Sequence, residues 1–93
     1  MIKSELIQKL CDRYSGLRLG EAERVVEVML GSIGKALADG HRVELRGFGS
    51  FLVKQRKARK GRNPRTGEMI EIKAKRLLSF RASRMLRRDL NSD

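Results

Sequence analysis

The chain has 93 residues, a formal charge of +11, one cysteine, one proline, one tyrosine, three phenylalanines and no tryptophan. That length suits one small domain, and no apolar run is long enough to cross a membrane or act as a signal peptide, so a soluble cytoplasmic protein without a membrane partner is expected. A lone cysteine excludes an internal disulfide, and the small aromatic content is marginal for the core of a monomer, so oligomerisation is expected.

Ser4 is placed to cap a first helix whose apolar residues Leu6, Ile7, Leu10, Cys11 and Tyr14 form one stripe, with Gly16 ending it. Ala22, Val25, Val26, Met29, Leu30, Ile33, Ala36 and Leu37 continue a helical period for several turns until Gly40 supplies a stop. Gly31 and Gly34 each cost this second helix about 1 kcal/mol relative to alanine. Gly34 lies beside the stripe and is expected to allow close helix approach; the pattern offers no account of Gly31.

After Gly40 the period changes to two. Arg42–Arg46 alternates, GFGS turns the chain, and Phe51–Val53 resumes in β-rich residues, which predicts a hairpin. Lys54–Arg59 stays extended but has no large apolar side chain, and Met69–Ala74 alternates again beyond GRNPRTG, residues 61–67. The two segments are expected to pair as an arm of about residues 54–75, polar on both faces of its outer half. At about 3.3 Å per residue its tip would stand roughly 25 Å from the body. Ser83 is placed to cap a short last helix with Met85, Leu86 and Leu90 on one side and Arg84, Arg87 and Arg88 outside. The fold class is α+β, a single domain of residues 1–93.

The charge is unevenly spread. Residues 1–41 hold six Lys/Arg against six Asp/Glu, whereas residues 42–93 hold sixteen against five. From Lys54 to Arg65 seven of twelve residues are basic and none is acidic, which points to a polyanion. An enzyme needs converging groups, yet the single histidine, His41, and Cys11 lie in different elements. His41 reads as a loop residue and Cys11 as a structural thiol on an apolar stripe. No metal-ligand spacing, P-loop or carboxylate pair occurs, so neither catalysis nor a cofactor or metal is expected.

Single-strand and RNA-recognition surfaces stack bases on exposed aromatics, whereas the three phenylalanines here are expected to face a core. A projecting cationic ribbon suits a duplex groove instead, with Arg and Lys reaching phosphates on both sides. Pro64, at the ribbon tip between Arg62 and Arg65, offers a rigid apolar ring without an N–H, fit to act as a wedge that unstacks and kinks a duplex. A basic RNA-binding or ribosome-associated protein is the competing class. Competition between duplex DNA, bent or nicked DNA and duplex RNA separates the two, because an A-form minor groove is already wide.

GFGSF (Gly47–Phe51), R-x-x-R-x-G-R-N-P-x-T-G (Arg56–Gly67) and F-R-x-S-R-x-L (Phe80–Leu86) resemble the bacterial HU and integration host factor family, in order and along essentially the whole chain. Members of this family are themselves type cases of wedge insertion into the minor groove, so the wedge reading and the resemblance form one line of argument. The resemblance implies an intertwined dimer with a helical base and two β-ribbon arms, each arm carrying an intercalating proline that matches Pro64. It implies DNA contacts from the arm residues Lys54, Arg56, Lys57, Arg59, Lys60, Arg62, Asn63 and Arg65, from Lys75, Arg76 and Arg81, and from the starts of the first and last helices, matching Lys3, Ser4, Ser83 and Arg84. Within the family, VELRGFGS is closer to the beta subunit of integration host factor than to HU, and Glu44 and Arg46 match positions that contribute to its sequence preference, Glu44 being expected to orient Arg46. Two departures stand out. Ser83 replaces the usual glycine, and KARK, residues 57–60, is more basic than the beta-subunit pattern, a step toward general binding. The resemblance implies double-stranded DNA as partner, a second identical chain or a paralogous alpha subunit, and a nucleoid-associated role in DNA organisation, recombination and transcription regulation.

Overall fold

The computed structural model describes residues 1–92, which divide into two compact units, Met1–Ala38 and a second beginning at Asp39. The first holds two helices, α1 (Lys3–Arg13) and α2 (Leu19–Ala38). Ser4 does not cap α1. The cap position falls two residues earlier, on an extended Ile2, so Ser4 sits inside the first turn while the amides of Glu5 and Leu6 donate to the Ile2 carbonyl at 3.1 Å each. The helix also stops before Gly16: the Tyr14 amide closes on the Leu10 carbonyl and its ring is exposed rather than part of the stripe.

The start of α2 has a cap that its sequence conceals. Glu21, in its first turn, accepts from the Arg18 amide at 3.1 Å, half of a capping box in which arginine stands where serine or threonine is usual. Its far end meets the expected stop, Gly40, at φ +87°. Between the helices Ile7, Ala22 and Val26 are buried, with Leu6, Leu10, Cys11 and Leu17 packed around them. Cys11 is thus a half-buried structural thiol, as read from its stripe. Ala22 is fully buried, its small side chain letting the helices meet.

Farther along the apolar stripe Ile33, Ala36 and Leu37 are half-buried, but its middle is uncovered. Met29 is 59% exposed and neighbouring Val28 62%, alongside Val25 and Leu30. The close approach expected at Gly34 is absent as well, since a Cβ there, or at Gly31, would have no neighbour within 4 Å. So slight a core is less than a folded unit needs in water.

The second unit contains β1 (Val43–Leu45), β2 (Gly49–Arg56), β3 (Arg59–Arg62), β4 (Met69–Ile72), β5 (Lys75–Ala82) and α3 (Arg84–Leu90). The strands form an antiparallel sheet in the order β1-β2-β5 and a two-stranded ribbon of β3 and β4. The first hairpin is present, but its turn falls on residues 46–48: Gly49 and Ser50, expected in the turn, already belong to β2, Arg46 lies outside β1, and Val43 faces Phe51. The arm pairs differently from the expectation. Lys54–Arg59 does not run wholly against Met69–Ala74: β2 pairs with β5, Lys54 opposite Leu77 and Arg56 opposite Lys75, and only β3 pairs with β4, Arg59 opposite Ile72. The register is the same on both sides of an unpaired Lys57–Ala58 and Lys73–Ala74, so one long hairpin runs from Gly49 and Ala82 to Arg62 and Met69 with a two-residue break in each strand.

Gly49 is the pivot of this sheet. A Cβ on it would lie 2.5 Å from Phe80 Cζ and 2.6 Å from the Arg81 carbonyl oxygen, so only glycine lets β2 and β5 close there. The phenylalanines cluster about that point, Phe80 tilted against Phe48 and Phe51 with ring centroids 5.4 and 4.8 Å away. Phe48 and Phe80 remain partly exposed, so the expected core is only half built within one chain. Ser83 caps α3 as anticipated, accepting from the Leu86 amide at 3.0 Å.

Candidate nucleic-acid interface

The tip loop is built by its own residues. The Asn63 amide donates to the Glu68 carbonyl at 2.8 Å, and the Gly67 amide, at φ +75°, donates back to the Asn63 carbonyl at 2.7 Å. The Asn63 side chain accepts from the Arg65 amide at 2.9 Å, an Asx turn that bridges over Pro64. Proline brings no N–H to this arrangement, so none goes unmet, and its ring is exposed at the extremity of the hairpin. Asn63, predicted to touch a ligand, is half-buried and holds the loop.

Behind the tip, Lys54, Arg56, Lys57, Arg59, Lys60, Arg62 and Arg65 are all exposed, as are Lys75 and Arg76. Side chains alternate along a strand, so Lys60 and Arg62 share one face and Arg59, which precedes them, is on the other. The charge is therefore on both faces of the ribbon, opposite residues of mixed kind: Lys60 stands across from Glu71 and Arg62 from Met69. One correction concerns polarity. The face of Arg59 and Gly61 also carries Ile70 and Ile72, so the outer arm is not polar on both sides.

A second basic surface lies around β1, the end of β5 and α3, where Arg42, Arg46, Arg81, Arg84 and Arg87 with Glu44 line a concavity of about 310 Å³. Arg46, Arg81 and Arg84 were foreseen there. Arg42 and Arg87 were not, although Arg42 is two residues before Glu44, just ahead of β1, and Arg87 is one helical turn after Arg84. The expected partnership of Glu44 with Arg46 is not formed. Glu44 Oε2 meets Arg42 Nη2 at 3.6 Å, and Arg46 falls beyond the end of β1, where alternation no longer governs its side chain. Ser83 is beside this concavity with its hydroxyl committed to the Leu86 amide.

In the first unit Lys3 Nζ is 3.3 Å from Glu27 Oε1. Ser4 is exposed one residue along from it. Among the described residues no group of three or more His, Cys, Asp or Glu is placed to hold a metal ion. Among the described residues no helix is long and apolar enough to cross a membrane.

A helix pair followed by a sheet that extends into a proline-tipped ribbon, cationic on both faces, defines a nucleic-acid-binding β-ribbon protein. Residues 1–91 match the family model described as Bacterial DNA-binding protein, and the chain belongs to that family, one of DNA-binding proteins rather than of enzymes. It is similar to Anabaena HU in a cocrystal structure with DNA, with 36% sequence identity, all of both chains covered and a TM-score of 0.83. A mutant HU from Thermotoga maritima shares the fold at 23% identity and a TM-score of 0.70, over 98% of this chain and 100% of that one.

Proposed function

We propose that this chain is an architectural DNA-binding protein that works as a dimer, lays its ribbon arms in the duplex minor groove and kinks the DNA by inserting Pro64 between base pairs. The exposed Pro64 at the end of a hairpin with cations on both faces carries this reading. The ring supplies the wedge, while the lysines and arginines behind it neutralise phosphates without reading sequence. The unstacking costs a few kcal/mol per step, offset by the extra cationic surface that a bent duplex meets. A relative crystallised with DNA supports duplex DNA as the partner.

The dimer follows from what is left uncovered: Val28 and Met29 on α2 and Leu78, 63% exposed, on β5 are apolar surface of the kind that association removes from water. Its second chain is an identical copy or a paralogous alpha subunit. The Arg42, Arg46, Arg81 and Arg84 surface holds the flanking duplex, with Lys75 and Arg76 at the arm's root and Lys3 and Ser4 as a further contact. Arg46 gives the likeness to the integration host factor beta subunit its functional content, a preference among duplexes layered on general binding. Such a protein would reside with the nucleoid in the cytoplasm and serve DNA organisation, recombination and transcription regulation.

Energy transfer between fluorophores at the ends of a duplex tests the proposal. The parent should raise transfer on binding, and Pro64→Ala should lower that gain and weaken binding while leaving the circular dichroism unchanged. A Pro64→Ala protein that bends as sharply as the parent rejects the wedge.

A further inference from the structure

Gly61 and Ile72 meet across the ribbon. In β3 and β4, Gly61 is opposite Ile70 and Arg59 opposite Ile72, so these four residues share one face and Ile72 is the diagonal neighbour of Gly61. A Cβ on Gly61 would be 2.7 Å from Ile72 Cδ1 and 3.4 Å from its Cγ1. The isoleucine therefore reaches across to the facing strand and seats its tip on the backbone of the one residue there that has no side chain. Gly61 and Ile72 are both half-buried, whereas Met69 and Ile70 are exposed. Ile72 also borders the two-residue break in the ladder, lining a concavity of about 770 Å³ formed there.

The break isolates the outer ribbon. Four residue pairs, Arg59 with Ile72 to Arg62 with Met69, lie beyond it and carry the tip loop. So short a two-stranded ribbon is marginal in water without a packed face. From this arrangement we infer that Ile72, seated on Gly61, is the positioning residue of the arm: it binds β3 and β4 into one block beyond the break and thereby sets the direction in which the loop presents Pro64. The inference rests on the DNA-bending reading and deepens it. Glycine at position 61 is required by space and not by backbone angle, and the β-branched Ile72, stiff at χ1, is suited to hold one direction.

Two substitutions and their combination test this. Gly61→Ala puts a methyl where Ile72 Cδ1 sits, and because that atom ends a side chain the isoleucine must rotate off the ribbon while the strands stay paired. Ile72→Val removes the conflicting Cδ1 and keeps a β-branched residue, so the double variant has room for both side chains. Amide exchange followed by nuclear magnetic resonance in the DNA-free protein reads the block through Asn63 and Gly67, whose N–H groups close the loop. With Gly61→Ala their exchange should accelerate about two- to tenfold, the range set by forcing a side chain off its rotamer, and duplex bending should fall. The double variant should lie nearer the parent than Gly61→Ala in both measurements. Parent-like exchange and bending in Gly61→Ala overturn the inference, as does a double variant no better than Gly61→Ala. A parent protein that fails to bend duplex DNA refutes the bending reading instead, and exchange in the free protein still decides the role of Ile72.

Discussion

Glu44 is tied to Arg42, carboxylate to guanidinium at 3.6 Å with both side chains exposed, and Arg46 is left outside the pair. The carboxylate thus neutralises one arginine of the basic concavity without orienting the other. Glu44→Ala should release Arg42 toward phosphate and strengthen binding to all duplexes alike, with the salt slope rising by about one unit. Stability should change by less than about 1 kcal/mol, since the pair is open to solvent. Arg46→Ala should flatten discrimination among duplexes of differing minor-groove width. A randomised duplex library at fixed salt measures both; equal preference in parent and Arg46→Ala would show Arg46 to be an ordinary phosphate contact.

Arm cations should behave differently from Arg46. Lys57→Ala, in the ladder break, removes an exposed charge that no cross-strand pair engages, so it should weaken all duplexes by a similar factor and lower the salt slope by about one unit. Affinity titrations from low to high salt check this. A sequence-dependent loss would contradict a purely electrostatic role.

Folding and association should be one event. With three buried apolar side chains in the first unit and half-exposed phenylalanines in the second, an isolated chain has too little core. Thermal midpoints should therefore rise with protein concentration. Met29→Ala should destabilise by about 2 to 5 kcal/mol if association buries the side chain, against almost nothing in a monomer. A midpoint constant over two decades of concentration, with a monomeric mass, would rule this out.

Gly49→Ala should be among the most damaging small substitutions in the sheet. Its methyl meets a phenylalanine ring and a backbone carbonyl at 2.5 and 2.6 Å, and the carbonyl cannot rotate away. Overpacking of this kind costs typically 1 to 3 kcal/mol, readable as a lower midpoint in denaturant with an unchanged slope. Gly31→Ala is the control: nothing stands within 4 Å of its Cβ in the chain, so a gain of about 0.5 to 1 kcal/mol is expected from helix propensity. A loss there would reveal a close approach in the dimer.

Elements whose cause is local were legible in the sequence. The two helices follow from a 3.6-residue apolar period, Gly40 from the need for a left-handed stop, the first hairpin from alternation about GFG, and the Ser83 cap from its hydroxyl. The cationic ribbon and Pro64 tip could be read because seven basic residues in twelve, with no acid among them, have no core to serve. What went unread depends on partners distant in sequence. β5 is not declared by its own residues, because Leu77 and Leu78 break the alternation; only pairing with β2 makes the segment a strand. Glu44 is expected to orient Arg46, but β1 ends at Leu45 and Arg42, on the other side, takes the carboxylate. Ser4 is the natural cap by residue type, yet the helix is capped two residues earlier, at Ile2. Nothing in the residues around Gly61 announces its constraint, which is the isoleucine seated on it from the opposite strand. Periodicity and charge are properties of consecutive residues, so the chain declares them by itself; register, close approach and ion-pair choice are decided only when strands from different parts of the chain are brought within a few ångströms.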